Sequence, residues 1–226
     1  SYAYGAPVDE VLLGPAMTTM EYVIPGVVLA MALSAVLGVA TAVRKDSHFD
    51  RSVRFVVYAL VAFPAFVAVD YAIYLLTSVR GSAFAQSLVT ARPKRFAALL
   101  VAMSLLAGQV RFGRAASIEQ INEDFVKLLD AKGAGRLMVA RHVLRNAALT
   151  IVSMSSEIIP VLTLNIFVIE EVLPIDGMAS VILQGIDEGD VALLIWSTML
   201  FVGIAIVGNF LIDVLYGYLD PRIRTD

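Results

Sequence analysis

The sequence of 226 residues contains no cysteine, so disulfide-stabilised secreted scaffolds, thiol nucleophiles and thiolate metal sites are excluded. It contains only two histidines, His48 and His142, and their wide separation gives no support for a histidine-based metal centre. Charged residues make up 16% of the chain, well below the ~25% of ordinary soluble domains. The formal net charge of −3 argues against nucleic acid as a partner.

Apolar residues dominate the sequence: they make up 59% of the chain, and the mean hydropathy is +0.81. A helix needs about 20 mostly apolar residues to cross a bilayer. We therefore predict an all-α membrane protein, a polytopic bundle of about five transmembrane helices. The predicted spans are residues 23–43, 55–79, 96–112, 147–169 and 191–213. The third is the shortest, because its uncharged part would be only about 22 Å long as a helix.

The distribution of lysine and arginine predicts the orientation of these spans. Most of the 17 basic residues lie after span one, after span three and in the C-terminal tail, residues 218–226. Basic residues favour the cytoplasmic side of short loops. We expect a multi-pass protein of the cell membrane, with residues 1–19 external and the C-terminus cytoplasmic. Because residues 1–19 carry no signal-peptide pattern, we also expect a further span before Ser1.

The segment between spans three and four carries a helical pattern of its own. Ser117 and Gln120 form a capping-box pattern, which predicts that a helix opens there. Apolar residues then recur at helical spacing as far as Leu129, and Gly133 and Gly135 are expected to end the helix. Such a segment either lies on the lipid headgroups or docks into a groove of a cytoplasmic partner.

Three blocks of this segment resemble a known family. They are NEDFVK at residues 122–127, DAKG at 130–133 and RHVLRNA at 141–147, and the ending YLDPRIR at 218–224 fits the same pattern. Together they resemble the permeases of binding-protein-dependent ABC importers, of the dipeptide/oligopeptide and nickel type. The chain departs from that family at Leu128 and Leu129, where members usually carry small residues.

The resemblance implies a type I ABC importer transmembrane domain, here residues 20–217, with a cytoplasmic coupling helix. It implies a second permease subunit, two cytoplasmic ATPase subunits, an external solute-binding protein and membrane lipid as partners, with no cofactor or metal. The expected solute is a di- or oligopeptide, with nickel or a sugar-like solute left open. The ATPase-coupling residues carried over from the family are Glu123, Asp124, Phe125, Lys127, Asp130, Ala131, Lys132, Gly133, Arg141 and His142.

The chain itself is not expected to be an enzyme. A phosphate-binding P-loop needs Gly-Lys followed by Ser or Thr, and the sequence contains no Gly-Lys pair. ATP hydrolysis is therefore expected in partner subunits.

Three residues within the predicted spans are candidates for the solute pathway: Asp70, Glu157 and Pro160. A charged side chain at a helix centre is costly, so both carboxylates should face protein or water. They could serve an ion-gradient-driven secondary transporter, which is the alternative function, or simply bond to neighbouring helices. A non-transporting membrane scaffold is a third possibility. Residues 174–185 form either a re-entrant segment or a short external helix.

Overall fold

The computed structural model describes residues 1, 5–62, 67, 70, 71, 74, 91–153, 155 and 158–219, and within them the predicted all-α architecture is confirmed. In this part of the chain the helices are α1 (Val8–Val43), α2 (His48–Ala62), α3 (Pro93–Ile121), α4 (Asp124–Ala131), α5 (Arg136–Ser153), α6 (Ile158–Val172), α7 (Met178–Glu188) and α8 (Val191–Leu219).

Three of these helices, α1, α3 and α8, are long and apolar enough to cross a membrane. They have 36, 29 and 29 residues, which at ~1.5 Å per residue give lengths of about 54, 43 and 43 Å. They contain the first, third and fifth predicted spans. The helix that contains the third run is longer than the run, because the amphipathic residues that follow it continue the same helix to Ile121.

The second and fourth predicted spans look different in the structure. The helix of the second span, α2, is described as far as Ala62, and much of the rest of that span lies outside the described residues. The fourth run, 147–169, is divided between two helices, since α5 ends at Ser153 and α6 begins at Ile158. A continuous apolar run indicates that a segment is apolar enough to lie in the membrane, but it does not show whether the segment forms one helix or two.

The chain folds as two compact units. Unit 1 comprises residues 1–28, 65–104 and 159–208. In its core, Leu12 and Ala16 of α1 pack with Met178 and Val181 of α7 and with Leu193 of α8. Residues 178–188 are thus a helix, which overlaps the segment predicted to be either re-entrant or a short external helix.

Unit 2 comprises residues 29–64, 105–158 and 209–226. Its helices α1 and α3 cross at two glycines, Gly38 and Gly113. A Cβ atom on Gly38 would lie 2.7 Å from the carbonyl carbon of Gly113, and one on Gly113 would lie 3.2 Å from the Ser34 oxygen. Such small residues let two backbones approach closely within a membrane bundle, where interhelical van der Waals packing replaces the hydrophobic effect.

Candidate functional site

Helix α4 is short, eight residues, and amphipathic. Val126 is buried, and Phe125 and Leu129 beside it are half-buried. These three pack in unit 2 against Val39 of α1 and Val139 of α5. The inward face of α4 is therefore fixed by apolar contacts to two other helices of the same unit.

The C-terminal end of α4 is closed by a Schellman motif. Gly133 has a φ of +74°, and its N–H donates to the Asp130 carbonyl at 2.9 Å. The Ala134 N–H donates to the Leu129 carbonyl at 3.0 Å. A left-handed backbone at this position favours glycine, because a Cβ atom would strain it. The prediction that Gly133 ends this helix is confirmed.

The prediction that a capping box at Ser117 and Gln120 opens this helix is wrong. Ser117 and Gln120 lie inside α3, and the Ser117 hydroxyl donates to the Gly113 carbonyl at 2.7 Å instead of capping a new helix. The break comes at Asn122 and Glu123, and α4 begins at Asp124. Glu123 is the N-cap residue by its extended backbone (φ −71°, ψ 152°), without a capping side-chain hydrogen bond.

The outward side of α4 is exposed, and we call it the α4 face. It consists of Glu123, Asp124, Lys127, Leu128, Asp130, Ala131, Lys132 and Gly133. Lys127 and Asp124 form an ion pair at 2.6 Å between two largely exposed side chains. Leu128, one of the two positions that depart from the family pattern, is 56% exposed in the middle of this charged surface. The face combines both signs of charge with an apolar contact point, as protein-docking surfaces do.

Most, but not all, of the coupling residues implied by the family resemblance lie together on α4 or directly beside it. Phe125 belongs to the inward face of α4 and packs within unit 2, so it positions the helix. Arg141 and His142 are exposed but lie on α5, and Arg141 lines a groove between α5 and α1.

Within the described part of the chain, the predicted pathway residues do not form one site. Asp70 is exposed, and Glu157 lies outside the described residues. Pro160 is the third residue of α6 and is exposed. Proline is tolerated in a first helical turn because the N–H groups there lack intrahelical partners. Pro160 thus lies in the first turn of α6 as far as the structure describes that helix.

Among the described residues three carboxylates are buried, those of Asp50, Glu170 and Asp190, and the contacts of the first two were not predicted from the sequence. In unit 1, Glu170 is buried and accepts hydrogen bonds on both oxygens. Oε1 accepts from the Thr19 and Tyr22 hydroxyls at 2.6 and 2.7 Å, and Oε2 accepts from the Ala179 and Ser180 N–H groups at 2.7 and 3.2 Å. Glu170 thereby caps α7, whose own N-cap residue is a glycine.

The buried carboxylate of Asp50 lies in unit 2. It receives two hydrogen bonds from the Arg114 guanidinium, Nε to Oδ1 at 2.8 Å and Nη2 to Oδ2 at 2.9 Å. The Asp46 N–H donates a third, at 3.0 Å. These bonds to Arg114 hold the pKa of Asp50 below its ordinary value. The partners of both carboxylates are distant in the sequence, which is why spacing alone did not identify them.

Comparison with known proteins gives a consistent result. The sequence profile of the family described as "Binding-protein-dependent transport system inner membrane component" matches residues 34–225. The metal-staphylopine import system permease protein CntB of Staphylococcus aureus is 33% identical over 227 residues, 99% of this chain and 72% of that protein.

Two permeases of Bacillus subtilis are also similar. The dipeptide transport system permease protein DppB is 26% identical over 212 residues, 91% of this chain and 67% of that protein. The oligopeptide transport system permease protein AppB is 25% identical over 232 residues, 97% of this chain and 73% of that protein.

Proposed function

Because the chain belongs to the family of binding-protein-dependent transport system inner membrane components, and is thus a non-catalytic permease subunit of an ABC importer, we propose that its α4 face receives the force of a partner ATPase. The observation that supports this proposal is the difference between the two faces of α4. Its inward face is packed against Val39 and Val139, while the opposite face is exposed and charged.

Transmission of force from the ATPase requires that α4 and the helices it contacts move together, without α4 sliding over them. Phe125, Val126 and Leu129 provide apolar contacts to α1 and α5, and the Schellman motif closes the C-terminal end. An ATPase that displaces the α4 face would therefore move α1 and α5 with it. Transport by alternating access needs such a connection between a motor and a bistable bundle.

The complete importer, in this proposal, contains a second permease subunit, two ATPase subunits and an external solute-binding protein. The α4 face and the C-terminus lie on the cytoplasmic side, in agreement with the clustering of basic residues in the loops on that side. The family description supports the binding-protein partner, and the absence of a Gly-Lys pair in this chain supports a separate motor.

The proposed solute is a di- or oligopeptide, because DppB and AppB are named as dipeptide and oligopeptide permeases. A metal complex is the second candidate, because CntB is named as part of a metal-staphylopine import system and is 33% identical. Uptake of a labelled dipeptide and of a labelled metal complex into proteoliposomes containing the assembled importer separates the two candidates.

Substitution of the exposed leucine tests the coupling surface. Leu128→Asp places a carboxylate in the middle of the α4 face without touching the inward contacts. Ile186→Asp is the matched control, since Ile186 is 58% exposed on α7, a helix of similar length. We expect Leu128→Asp to lower co-purification of the ATPase subunits by tenfold or more, while Ile186→Asp retains them. Equal retention by both variants would refute the proposal.

A further inference from the structure

A groove of about 670 Å³ lies between the C-terminal part of α1 and the N-terminal half of α5, both in unit 2. Its walls are apolar: Val36 and Ala40 come from α1, and Leu137 and Leu144 from α5. Leu137 is 86% exposed, so its side chain is available to an apolar ligand in the groove.

Three arginines line the same groove. Arg44 comes directly after the last residue of α1, and Arg136 and Arg141 lie on α5. All three are exposed, and among the described residues none has a carboxylate within ion-pair distance. Arg44 lies over the Phe49 ring, 5.3 Å from its centroid, so its position is fixed while its N–H groups stay available.

The backbone of α5 adds to this positive charge. The helix begins at Arg136 and has no acidic residue in its first turn. The first N–H groups of a helix lack intrahelical partners, and the helix dipole favours an anion near them. The groove thus combines three unneutralised guanidiniums with a helix N-terminus above an apolar wall.

We propose that this groove binds an anionic phospholipid, with the phosphate on the three arginines and the upper part of an acyl chain along the apolar wall. Guanidinium groups suit phosphate because they donate two parallel hydrogen bonds. Val36 of α1 and Arg44, which directly follows α1, are eight residues apart, about 12 Å at the helical rise, which matches a headgroup and the first carbons of its chain. Because α1 has the length and composition of a membrane span, Arg44 at its end lies at headgroup depth.

The proposal does not depend on the coupling role of the α4 face. It concerns only the arginines and the apolar wall, and a lipid could bind there whichever partner contacts α4. It assigns Arg141, one of the ATPase-coupling residues implied by the family resemblance, to lipid binding.

Native mass spectrometry of the full chain in a neutral detergent tests the proposal. The chain is titrated with phosphatidylglycerol, with phosphatidylcholine, and with inorganic phosphate. We expect one phosphatidylglycerol to be retained at concentrations at which phosphatidylcholine is not, and a rise in the thermal unfolding midpoint with phosphatidylglycerol only. Equal retention of the two lipids, or the same rise with inorganic phosphate, would overturn the proposal.

Variants locate the lipid. The triple variant Arg44→Gln, Arg136→Gln, Arg141→Gln should bind phosphatidylglycerol at least tenfold more weakly, and Arg136→Gln alone about fivefold. Arg145→Gln is the matched control, because Arg145 is an exposed arginine of the same helix outside the groove. Unchanged binding in the arginine variants, or an equal loss in the control, would contradict the assignment. If the variants lose the ATPase but keep the lipid, the groove is a protein-docking surface and the lipid proposal is wrong.

Should the triple variant fail to fold, Arg136→Gln alone decides the matter. Arg136 is exposed, and no hydrogen bond or ion pair to another described residue depends on its side chain. Its monodisperse elution and an unfolding midpoint equal to that of the parent without lipid establish that it is folded.

Discussion

The Arg114 guanidinium of α3 binds the Asp50 carboxylate at the start of α2 through two hydrogen bonds of 2.8 and 2.9 Å. The Asp50 side chain is completely buried, and that of Arg114 is largely so. The Ser47 hydroxyl accepts a hydrogen bond from the Asp50 N–H at 3.2 Å, which caps α2 at the same point. Asp50 therefore bonds to the loop before α2 through the Asp46 N–H and joins α2 to α3 through Arg114, both within unit 2.

Removal of this carboxylate should destabilise the protein. Asp50→Asn leaves the Arg114 charge without its partner in a buried position, a change that typically costs about 3–5 kcal/mol. Asp46→Asn is the matched control, because the Asp46 side chain is exposed and only its backbone N–H bonds to Asp50. Thermal unfolding in detergent at neutral pH should show a large loss for Asp50→Asn and none for Asp46→Asn.

The effect of Asp50→Asn should also depend on pH. The pKa of Asp50 is lowered in the folded protein, so this group contributes stability above its unfolded pKa, near 3.8. That contribution is lost as the pH falls through the lower, folded pKa. The difference in unfolding midpoint between parent and Asp50→Asn should therefore be constant at neutral pH and shrink below about pH 4. A difference that shrinks on raising the pH would contradict this sign.

The crossing of α1 and α3 in unit 2 should not tolerate a methyl group. A Cβ atom on Gly38 would lie 2.7 and 2.8 Å from backbone atoms of Gly113 and Arg114, which cannot rotate away. Gly38→Ala should therefore cost about 1–3 kcal/mol, as overpacking does. Gly108→Ala is the control: a Cβ there meets nothing within 4 Å, and helix propensity predicts a gain of up to about 1 kcal/mol. Thermal unfolding of the two alanine variants measures the contrast.

The attachment of α7 in unit 1 should depend on the two acceptor oxygens of Glu170. Glu170→Gln keeps the shape of the side chain, but its amide nitrogen cannot accept, so two of the four donors lose their acceptor. An unsatisfied buried donor costs about 1–3 kcal/mol. Hydrogen exchange of the amides at residues 178–188 should be faster in Glu170→Gln. It should be unchanged in Glu171→Gln, because the neighbouring Glu171 is exposed.

The Schellman motif at the end of α4 should be sensitive to the identity of one glycine. Gly133 has a φ of +74°, a conformation that costs an alanine about 1–2 kcal/mol. Gly133→Ala should therefore accelerate amide exchange within α4 and reduce stimulation of the partner ATPase. Gly135→Ala is the control, since Gly135 lacks a positive φ and has open space around its Cβ position. If both variants behave alike, the motif does not control the order of α4.

The sequence predicted the composition of the elements better than their ends. The apolar face of α4 and its glycine stop followed from periodicity and from the conformational freedom of Gly133. The capping pattern at Ser117 was misleading, because a serine inside a long helix can return its hydroxyl to the carbonyl four residues earlier. The division of the fourth run between α5 and α6 was not visible, since both halves are equally apolar.

The polar contacts within each unit could not be predicted from the sequence for a different reason. Glu170 bonds to Thr19 and Tyr22, which precede it by 151 and 148 residues, and Asp50 bonds to Arg114, 64 residues later. Only the fold brings these groups together. By contrast, most of the α4 face is local in sequence, and the family resemblance named all of its residues except Leu128 as expected coupling residues.

The absence of cysteine allows the most direct test of the α4 face, because a single introduced thiol is unique in this chain. Leu128→Cys and Ile186→Cys are each assembled with the ATPase subunits of the same importer, labelled with a reagent that carries one thiol-reactive group and one photoreactive group, and illuminated. We predict a cross-linked product between the permease and the ATPase from position 128 and none from position 186. A product from position 186 alone would contradict the proposed coupling surface.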